Sequence, residues 1–232
     1  MDVARLNFSH GTADDHRQKA KLVREIATRH HRYVALMGDL QGPKIRIARF
    51  ANTRVELTNR QPFVLSNDHP ADAGNENIVG IDYPPLVQDC APGDELLLDD
   101  GRIILQVDKV ENNAVYTTVT AGGELSNHKG INRRGGGISA PSLTDKDRAD
   151  ILLAAELEVD YIAVSFPRYG RDMQQARELV QQAGSKAWII AKIERAEAVA
   201  DDEALDDIIS ASDGVMVARG DLGVEVGDAR LV

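Results

Sequence analysis

The sequence predicts an α/β fold in which parallel β/α units flank an all-β segment. Short apolar strands alternate with helix-compatible stretches at both ends of the 232-residue chain, a rhythm typical of parallel sheets. Between about residues 44 and 139 the helix signals fade and Gly, Pro and Asn turn residues become frequent. We therefore expect a β/α domain formed by residues 1–43 and 140–232, with residues 44–139 inserted as a β domain.

The β/α elements follow from apolar spacing. The first part is predicted to contain a strand at 3–8, a helix at about 14–31 and a strand at 33–40. In the second part Thr144 and Asp147 precede an apolar stripe at helical spacing, which predicts a capped helix. Further strands are expected at 161–166, 188–194 and 214–222, and helices at 171–183 and 196–209. These are about five parallel strands, whereas a closed barrel needs about eight, so the pattern alone leaves open a doubly wound sheet or part of a barrel.

The inserted segment carries two hairpin signals. Asp100-Gly101 separates the apolar runs 96–98 and 103–105, and Asn112-Asn113 separates two more β-prone runs. Both pairs are typical of tight turns between antiparallel strands, so we expect a β-barrel-like module.

Composition excludes several functional classes. The net charge of −10 and a pI near 5.1 argue against a protein that coats nucleic acid or docks on an anionic membrane. The single cysteine, Cys90, forms no internal disulfide, which suits a reducing compartment. There is neither an apolar run of about 20 residues nor a signal-peptide pattern, so we expect a cytoplasmic protein.

A first candidate site is Lys192-Ile193-Glu194, at the predicted end of a buried strand. Residues i and i+2 of a strand share one face, so the ammonium and the carboxylate should lie together. The carboxylate suits Mg²⁺ and the ammonium suits an anion bound to that metal. The alternative is an ion pair with a purely structural role.

A second candidate site is the run Arg219-Gly220-Asp221-Leu222-Gly223, which we expect to form a tight glycine turn. Its backbone N–H groups would bind an anion and Asp221 would bind metal. The alternative is an ordinary strand-to-helix turn.

A third candidate site combines Arg5, Asn7, Ser9 and His10 with Asp39 at the end of the next strand. A guanidinium at such an edge suits phosphate or carboxylate, although Ser9 could simply cap the following helix. Together the three sites indicate an anionic substrate held by a divalent metal, and phosphoryl transfer fits this chemistry. The chain has no Walker A motif and its histidines lack zinc spacing; His30 and His31 are expected at a helix end.

At these residues the chain resembles the pyruvate kinase family. The matching stretches run in the family's order: DVARLNFSHG at 2–11, GDLQGPKIR at 38–46, LDDG at 98–101, KGIN at 129–132, DYIAVSF at 160–166, AKIE at 191–194 and MVARGDLGVE at 216–225. The resemblance implies a (β/α)8 TIM barrel, present here in part, with a mobile β domain inserted after its third strand. It implies transfer of phosphate from phosphoenolpyruvate to ADP, which gives pyruvate and ATP.

The resemblance also implies residue roles. Lys192 resembles the group that stabilises the phosphoryl transition state, and Glu194 and Asp221 resemble the Mg²⁺ ligands, with Mn²⁺ as an alternative metal. The amides of Gly220 and Asp221 would hold the substrate carboxylate, and Arg5 its phosphate. The residues that resemble nucleotide contacts are Asn7, Ser9, His10, Arg46, Lys129 and Asp100.

One departure from the family concerns a monovalent cation. Many members bind K⁺ with residues that match Asn7, Ser9, Asp39 and a threonine at position 40, with a glutamate at position 44. Leu40 and Lys44 stand at these last two positions. We hypothesise that the Lys44 ammonium supplies the charge of K⁺, so that K⁺ is not required; the alternative is a solvated Lys44 with K⁺ still bound.

Two further departures concern the return from the β domain and the extent of the match. The run 132–137 (NRRGGG) replaces a commoner Asn-Leu-Pro-Gly form, which predicts a more flexible return. Relative to the family pattern, barrel strands at both ends and a regulatory C-terminal domain are missing. We therefore expect little or no turnover from this chain alone, whereas the parent protein would be a homotetramer.

Two other functions remain open from sequence. A Mg²⁺-dependent lyase or aldolase that acts on pyruvate enolates would share the carboxylate, metal and arginine. It would not need the β module, Asp99-Asp100-Gly101 or Lys129. A non-catalytic module that binds Mg²⁺ or nucleotide is the third possibility.

Overall fold

A computed structural model of the chain describes residues 1–227. Residues 1–43 contain β1 (Val3–Asn7), α1 (Ala13–Arg29) and β2 (Ala35–Asp39). The following elements are β3 (Arg54–Leu57), β4 (Pro62–Ser66), β5 (Ile78–Gly80), α2 (Leu86–Asp89), β6 (Glu95–Leu98), β7 (Ile103–Glu111), β8 (Ala114–Ala121), β9 (Gly123–Ser126) and β10 (Ile131–Arg133). The last are α3 (Asp145–Glu156), β11 (Tyr161–Val164), α4 (Gly170–Gln182), β12 (Trp188–Ile193), a 3₁₀ turn (Glu197–Val199), α5 (Asp202–Ala211), β13 (Gly214–Val217) and α6 (Arg219–Val226).

The chain forms two compact units, each of which has most of its residue contacts within itself. The sheet unit comprises residues 1–43 and 141–218, and the β unit comprises residues 44–140 and 219–227.

The sheet unit contains a five-stranded sheet in the order β1-β2-β11-β12-β13, with every neighbouring pair parallel. Its strands are joined by helices, which confirms the predicted α/β class. Asn7 pairs with Asp39 in the β1–β2 register. Because all five strands run in the same direction, their carboxyl ends lie at one edge of the sheet, where ligands bind in folds of this class.

Helix ends in the sheet unit follow the local capping signals. Thr144 and Asp147 form the predicted capping box of α3. Helix α1 begins with a capping box between Thr12 and Asp15, so the alternative that Ser9 caps this helix is wrong. His30 is the C-cap of α1, which confirms the expected position of the paired histidines.

Three predictions for residues 196–223 are wrong in whole or in part. The helix expected at 196–209 is a 3₁₀ turn followed by α5, because the Asp201 side chain accepts a hydrogen bond from Ala204 N and starts a new helix. The strand expected at 214–222 ends at Val217. The predicted tight glycine turn at 219–223 is instead the first part of α6, and Gly220 does not take a left-handed φ. An acidic residue in the first helical turn, here Asp221, favours this helix start.

The β unit contains a six-stranded sheet, β10-β6-β7-β8-β4-β5, and a two-stranded sheet, β3-β9. Both hairpin predictions are confirmed. Leu98 pairs with Ile103 across the 99–102 turn, and Asn112 and Asn113 both adopt positive φ between β7 and β8. The core of this unit is a cluster of aliphatic and aromatic side chains that includes Phe63, Leu65, Leu96, Leu105 and Val119.

No helix within residues 1–227 is both long enough and apolar enough to cross a membrane.

Candidate functional site

Lys192 lies near the carboxyl end of β12 and is the centre of a buried polar cluster. Its Nζ is 2.9 Å from Glu194 Oε1 and 3.2 Å from Asp39 Oδ1, and it donates a hydrogen bond to Ser165 Oγ at 2.7 Å. The lysine side chain is 12% exposed and both carboxylates are 2% exposed. The structure therefore brings Lys192 and Glu194 together, as strand alternation predicts, and adds Asp39 from the neighbouring part of the sheet.

Glu194 is oriented by backbone as well as by Lys192. Its Oε2 accepts a hydrogen bond from Phe166 N at 3.0 Å. Phe166 has a φ of +58°, a left-handed conformation that is strained for a bulky residue. The strained corner after β11 thus directs an N–H group at the carboxylate and fixes the direction of the oxygen that faces Lys192.

Asp39 joins two cations. Its Oδ2 accepts a hydrogen bond from Arg5 Nε at 2.6 Å and lies 2.5 Å from Arg5 Nη2, while its Oδ1 faces Lys192. The Arg5 side chain is 52% exposed, so a guanidinium anchored along one edge remains accessible to an anion. The cluster holds two cations and two carboxylates, which is how buried charges are tolerated.

Ser165 is a site residue that the sequence reasoning missed. It is 1% exposed; its hydroxyl donates to Leu40 O at 2.8 Å while accepting from Lys192 Nζ. Its position in the sequence could have indicated a site residue, because Ser165 directly follows the apolar strand β11. The polar residues at the ends of β2 and β12 occupy equivalent positions.

The other predicted residues of this unit are partly engaged locally. Asn7 Oδ1 accepts from Ser9 N at 3.0 Å, and His10 is exposed. Leu40, expected near a monovalent cation, is buried, and its carbonyl accepts the Ser165 hydroxyl.

In the β unit, Lys44 and Asp221 form an ion pair. Lys44 Nζ is 3.7 Å from Asp221 Oδ1, and the two side chains are about a quarter exposed. Gly220 precedes Asp221 in the first turn of α6, where backbone N–H groups lack intrahelical acceptors. The structure therefore places a lysine, a carboxylate and helix-start amides in one region of the β unit.

The nucleotide-contact candidates of the β unit occupy the strand ends near the 99–102 turn. Lys129 Nζ is 2.6 Å from Asp99 Oδ1, whereas the candidate Asp100 is exposed. Arg46 donates from Nη1 to His128 O and from its backbone N to Asp82 Oδ1. Burial raises the pKa of the Asp82 carboxyl, and the Arg46 N–H bond partly offsets that effect.

The donor chemistry fits a magnesium ion bound jointly by protein and substrate. Among residues 1–227 no cluster of three or more His, Cys, Asp or Glu side chains is arranged to hold a metal. Mg²⁺ is usually bound by one or two carboxylates plus water and substrate oxygens rather than by an all-protein cage. Glu194, a carboxylate with both oxygens already oriented, and the partly exposed Asp221 are donors of that kind.

Comparison with known proteins gives one consistent family. The sequence model of the pyruvate kinase barrel domain matches residues 1–232. The pyruvate kinase of Haemophilus influenzae is 56% identical over 231 residues, which is 100% of this chain and 48% of that protein. Pyruvate kinase II of Salmonella typhimurium is also 56% identical with the same coverage. The pyruvate kinase of Corynebacterium glutamicum is 44% identical over 226 residues, 97% of this chain and 46% of that protein. The chain thus spans about half the length of the curated relatives that it matches.

Proposed function

Because the chain belongs to the pyruvate kinase family, we propose that it serves the transfer of a phosphoryl group from phosphoenolpyruvate to ADP, which yields pyruvate and ATP. The observation that carries this proposal is the buried cluster of Lys192, Glu194, Asp39 and Ser165 at the carboxyl edge of a parallel sheet. Mutual pairing offsets the cost of burying these groups, and clusters of charged side chains at such an edge are typical of functional sites.

The proposed role of Lys192 is to neutralise charge on the phosphoryl group in the transition state of its transfer. Phosphoryl transfer depends on positioning and on electrostatic stabilisation more than on a nucleophilic side chain. The Lys192 ammonium is held at fixed distances by Asp39, Glu194 and Ser165. It therefore needs little reorganisation energy when the phosphoryl group is transferred. Arg5, anchored by Asp39 and half exposed, would bind the substrate phosphate.

Glu194 and Asp221 would hold the divalent metal, for which Mg²⁺ is proposed and Mn²⁺ is a substitute. When bound, the metal would neutralise phosphate charge and orient the substrate oxygens. The amides of Gly220 and Asp221, at the start of α6, would bind the substrate carboxylate.

The residues proposed to contact the nucleotide are Asn7, Ser9, His10, Arg46, Lys129 and Asp100. Lys129 is held at 2.6 Å by Asp99, which supports an ordered ammonium in the β unit. A cytoplasmic location and a homotetrameric parent protein are further parts of this proposal, and they rest on the family resemblance alone.

We also propose that Lys44 replaces a monovalent cation. Its ammonium lies 3.7 Å from the proposed metal ligand Asp221, where a fixed positive charge would serve in place of K⁺. In a complete enzyme, made by replacing the matching 231 residues of the H. influenzae relative by this chain, activity should be equal in K⁺ and in a bulky tetraalkylammonium salt. The same enzyme with Lys44→Glu should become K⁺-dependent. Strong K⁺ activation of the enzyme that retains Lys44 would contradict the proposal.

The reaction can be tested in a chimera in which this chain replaces the matching 231 residues of the H. influenzae relative. Pyruvate and ATP should form together from phosphoenolpyruvate and ADP. Lys192→Met should abolish turnover, whereas Lys186→Met, an exposed lysine before the same strand, should not. Pyruvate release from a longer acid without ATP would instead support a lyase.

Residues 1–232 alone are expected to show little or no turnover, since they span 48% of the H. influenzae relative. A steady-state rate near that of the chimera would contradict this expectation. Calorimetric binding of Mg²⁺ and phosphoenolpyruvate without turnover would mark the isolated chain as a binding module.

A further inference from the structure

Within the β unit, Glu225 connects helix α6 to strand β10. Glu225 is 3% exposed, and its Oε1 accepts a hydrogen bond from Asn132 Nδ2 at 3.2 Å. Its backbone carbonyl accepts a second bond from Gly135 N at 3.0 Å. Loss of a hydrogen bond from a buried polar group costs free energy, so the bond from Asn132 helps to hold the buried Glu225 carboxylate in place.

The position of Asn132 is itself fixed by the residues that follow it. Arg133 donates to both oxygens of Asp94, at 2.9 and 2.8 Å, and to Gly136 O at 2.9 Å. A Cβ atom at Gly137 would lie 1.8 Å from Arg133 Nη1, and Gly137 has a φ of +92°. A larger residue at position 137 would be strained at this φ and would require the Arg133 guanidinium to move, so the glycine run accommodates the arginine that anchors β10. The flexibility expected for this run from sequence remains a prediction.

The other contact between α6 and this region is made by Asp221. Asp221 and Glu225 are four residues apart and therefore lie on one face of the helix. Lys44, the ion-pair partner of Asp221, packs its Cε 3.3 Å from the point where a Cβ of Gly130 would stand. The segment from Gly130 to Asn132 thus runs along the helix face that carries both carboxylates.

We propose that Asn132 and Glu225 are positioning residues that fix the face of α6 and thereby the direction of the Asp221 carboxylate. This inference rests on the proposed role of Asp221 as a metal ligand. The glutamate lies one turn beyond the ligand, and its buried hydrogen bond keeps the helix from rotating about its axis, which would change the direction of the Asp221 carboxylate. Asn132 of β10 would then set the direction of Asp221, one of the two carboxylates proposed to bind the metal.

The test measures Mn²⁺ affinity of the 232-residue chain by calorimetry, together with amide hydrogen exchange in α6. Asn132→Ala should weaken Mn²⁺ binding about tenfold, in the range found for residues that orient metal ligands. Glu225→Gln keeps an acceptor oxygen for Asn132 and should bind Mn²⁺ nearly as well as the unchanged chain, whereas Asn132→Asp should oppose two carboxylates and weaken binding.

Asn127→Ala is the matched control. Asn127 accepts a hydrogen bond from Phe50 N at 2.7 Å among the strands of the same unit, so its loss reports general loosening of that unit. Exchange of the 222–225 amides should be faster in Asn132→Ala than in Asn127→Ala. In a double-mutant cycle, Asn132→Ala with Glu225→Ala should weaken binding by less than the sum of the two single changes, because both remove the Asn132–Glu225 hydrogen bond.

Three results would overturn the inference. Exchange in α6 that is the same in Asn132→Ala and in the control would show that the pair does not hold the helix, whatever the metal does. Faster exchange with unchanged Mn²⁺ affinity would leave the pair with a structural role only. Unchanged Mn²⁺ affinity in Asp221→Asn would overturn both the inference and the assignment of Asp221 as a metal ligand in the proposed function. The Asp221→Asn measurement therefore distinguishes a wrong metal assignment from a wrong role for the Asn132–Glu225 pair.

Discussion

Replacing Ser165 by alanine removes a single oxygen atom from the centre of the polar cluster. That oxygen accepts from Lys192 Nζ at 2.7 Å and donates to Leu40 O at 2.8 Å, and both Ser165 and Leu40 are buried. The change leaves the Leu40 carbonyl without this donor, which costs about 1–3 kcal/mol for a buried acceptor. Lys192 keeps Asp39 and Glu194 as partners, so its charge stays compensated. We therefore expect Ser165→Ala to lower the free energy of unfolding by about 2 kcal/mol.

Ser142 offers a matched control in the same unit. It is also a buried serine, but its Oγ has no hydrogen-bond partner among residues 1–227. Ser142→Ala removes an unsatisfied hydroxyl and should change the unfolding free energy by less than about 0.5 kcal/mol, or raise it. Volume change is the same in the two variants, so their difference isolates the hydrogen bonds.

Urea unfolding followed by the fluorescence of Trp188 measures both variants. Trp188 is the only tryptophan in the chain and begins β12, the strand that carries Lys192. A loss in Ser165→Ala no larger than that in Ser142→Ala would refute the view that Ser165 bridges Lys192 and the end of β2.

Three further predictions concern other buried groups. Burial and, secondarily, Asp94 raise the pKa of the Cys90 thiol to about 12, so at about pH 8 iodoacetamide should alkylate the folded chain about a thousandfold more slowly than the unfolded chain. Burial lowers the pKa of His16 below 6.5, so the folded state favours the neutral ring. The contribution of this ring to the free energy of unfolding should be complete above pH 6.5 and should be lost as the pH falls through the folded-state pKa. In acid unfolding, His16→Leu should remove that loss. Gly170→Ala should destabilise by about 1–3 kcal/mol in thermal unfolding, since its Cβ would lie 2.5 Å from Asp207 Oδ1. Gly220→Ala, with nothing within 4 Å and a helical backbone, should not destabilise.

The fold was predictable where one local signal dominated. Apolar strands such as β2 and β11, capping boxes such as Thr144 with Asp147, and turn pairs such as Asn112-Asn113 each specify their element from neighbouring residues. The sequence did not predict the helix break at Asp201 or the start of α6 at Arg219. At both places the local sequence is compatible with continuing the previous element or with starting a new helix, and the surrounding structure decides between them.

The site was predictable in composition more than in geometry. Alternation along β12 is enough to bring Lys192 beside Glu194. It does not reveal that Asp39, which the sequence groups with Arg5, also pairs with Lys192, because that contact joins strands distant in sequence. The left-handed φ of Phe166 was equally hidden, since no sequence rule assigns a strained conformation to a phenylalanine.

Anomalous diffraction from crystals of the chain grown with Mn²⁺ and phosphoenolpyruvate tests the metal assignment most directly. The account predicts a manganese peak at about 2.1 Å from one carboxylate oxygen of Glu194 and one of Asp221, with the Lys192 ammonium beside the substrate phosphate. A manganese ion bound by other side chains, or substrate bound away from Lys192, would contradict it.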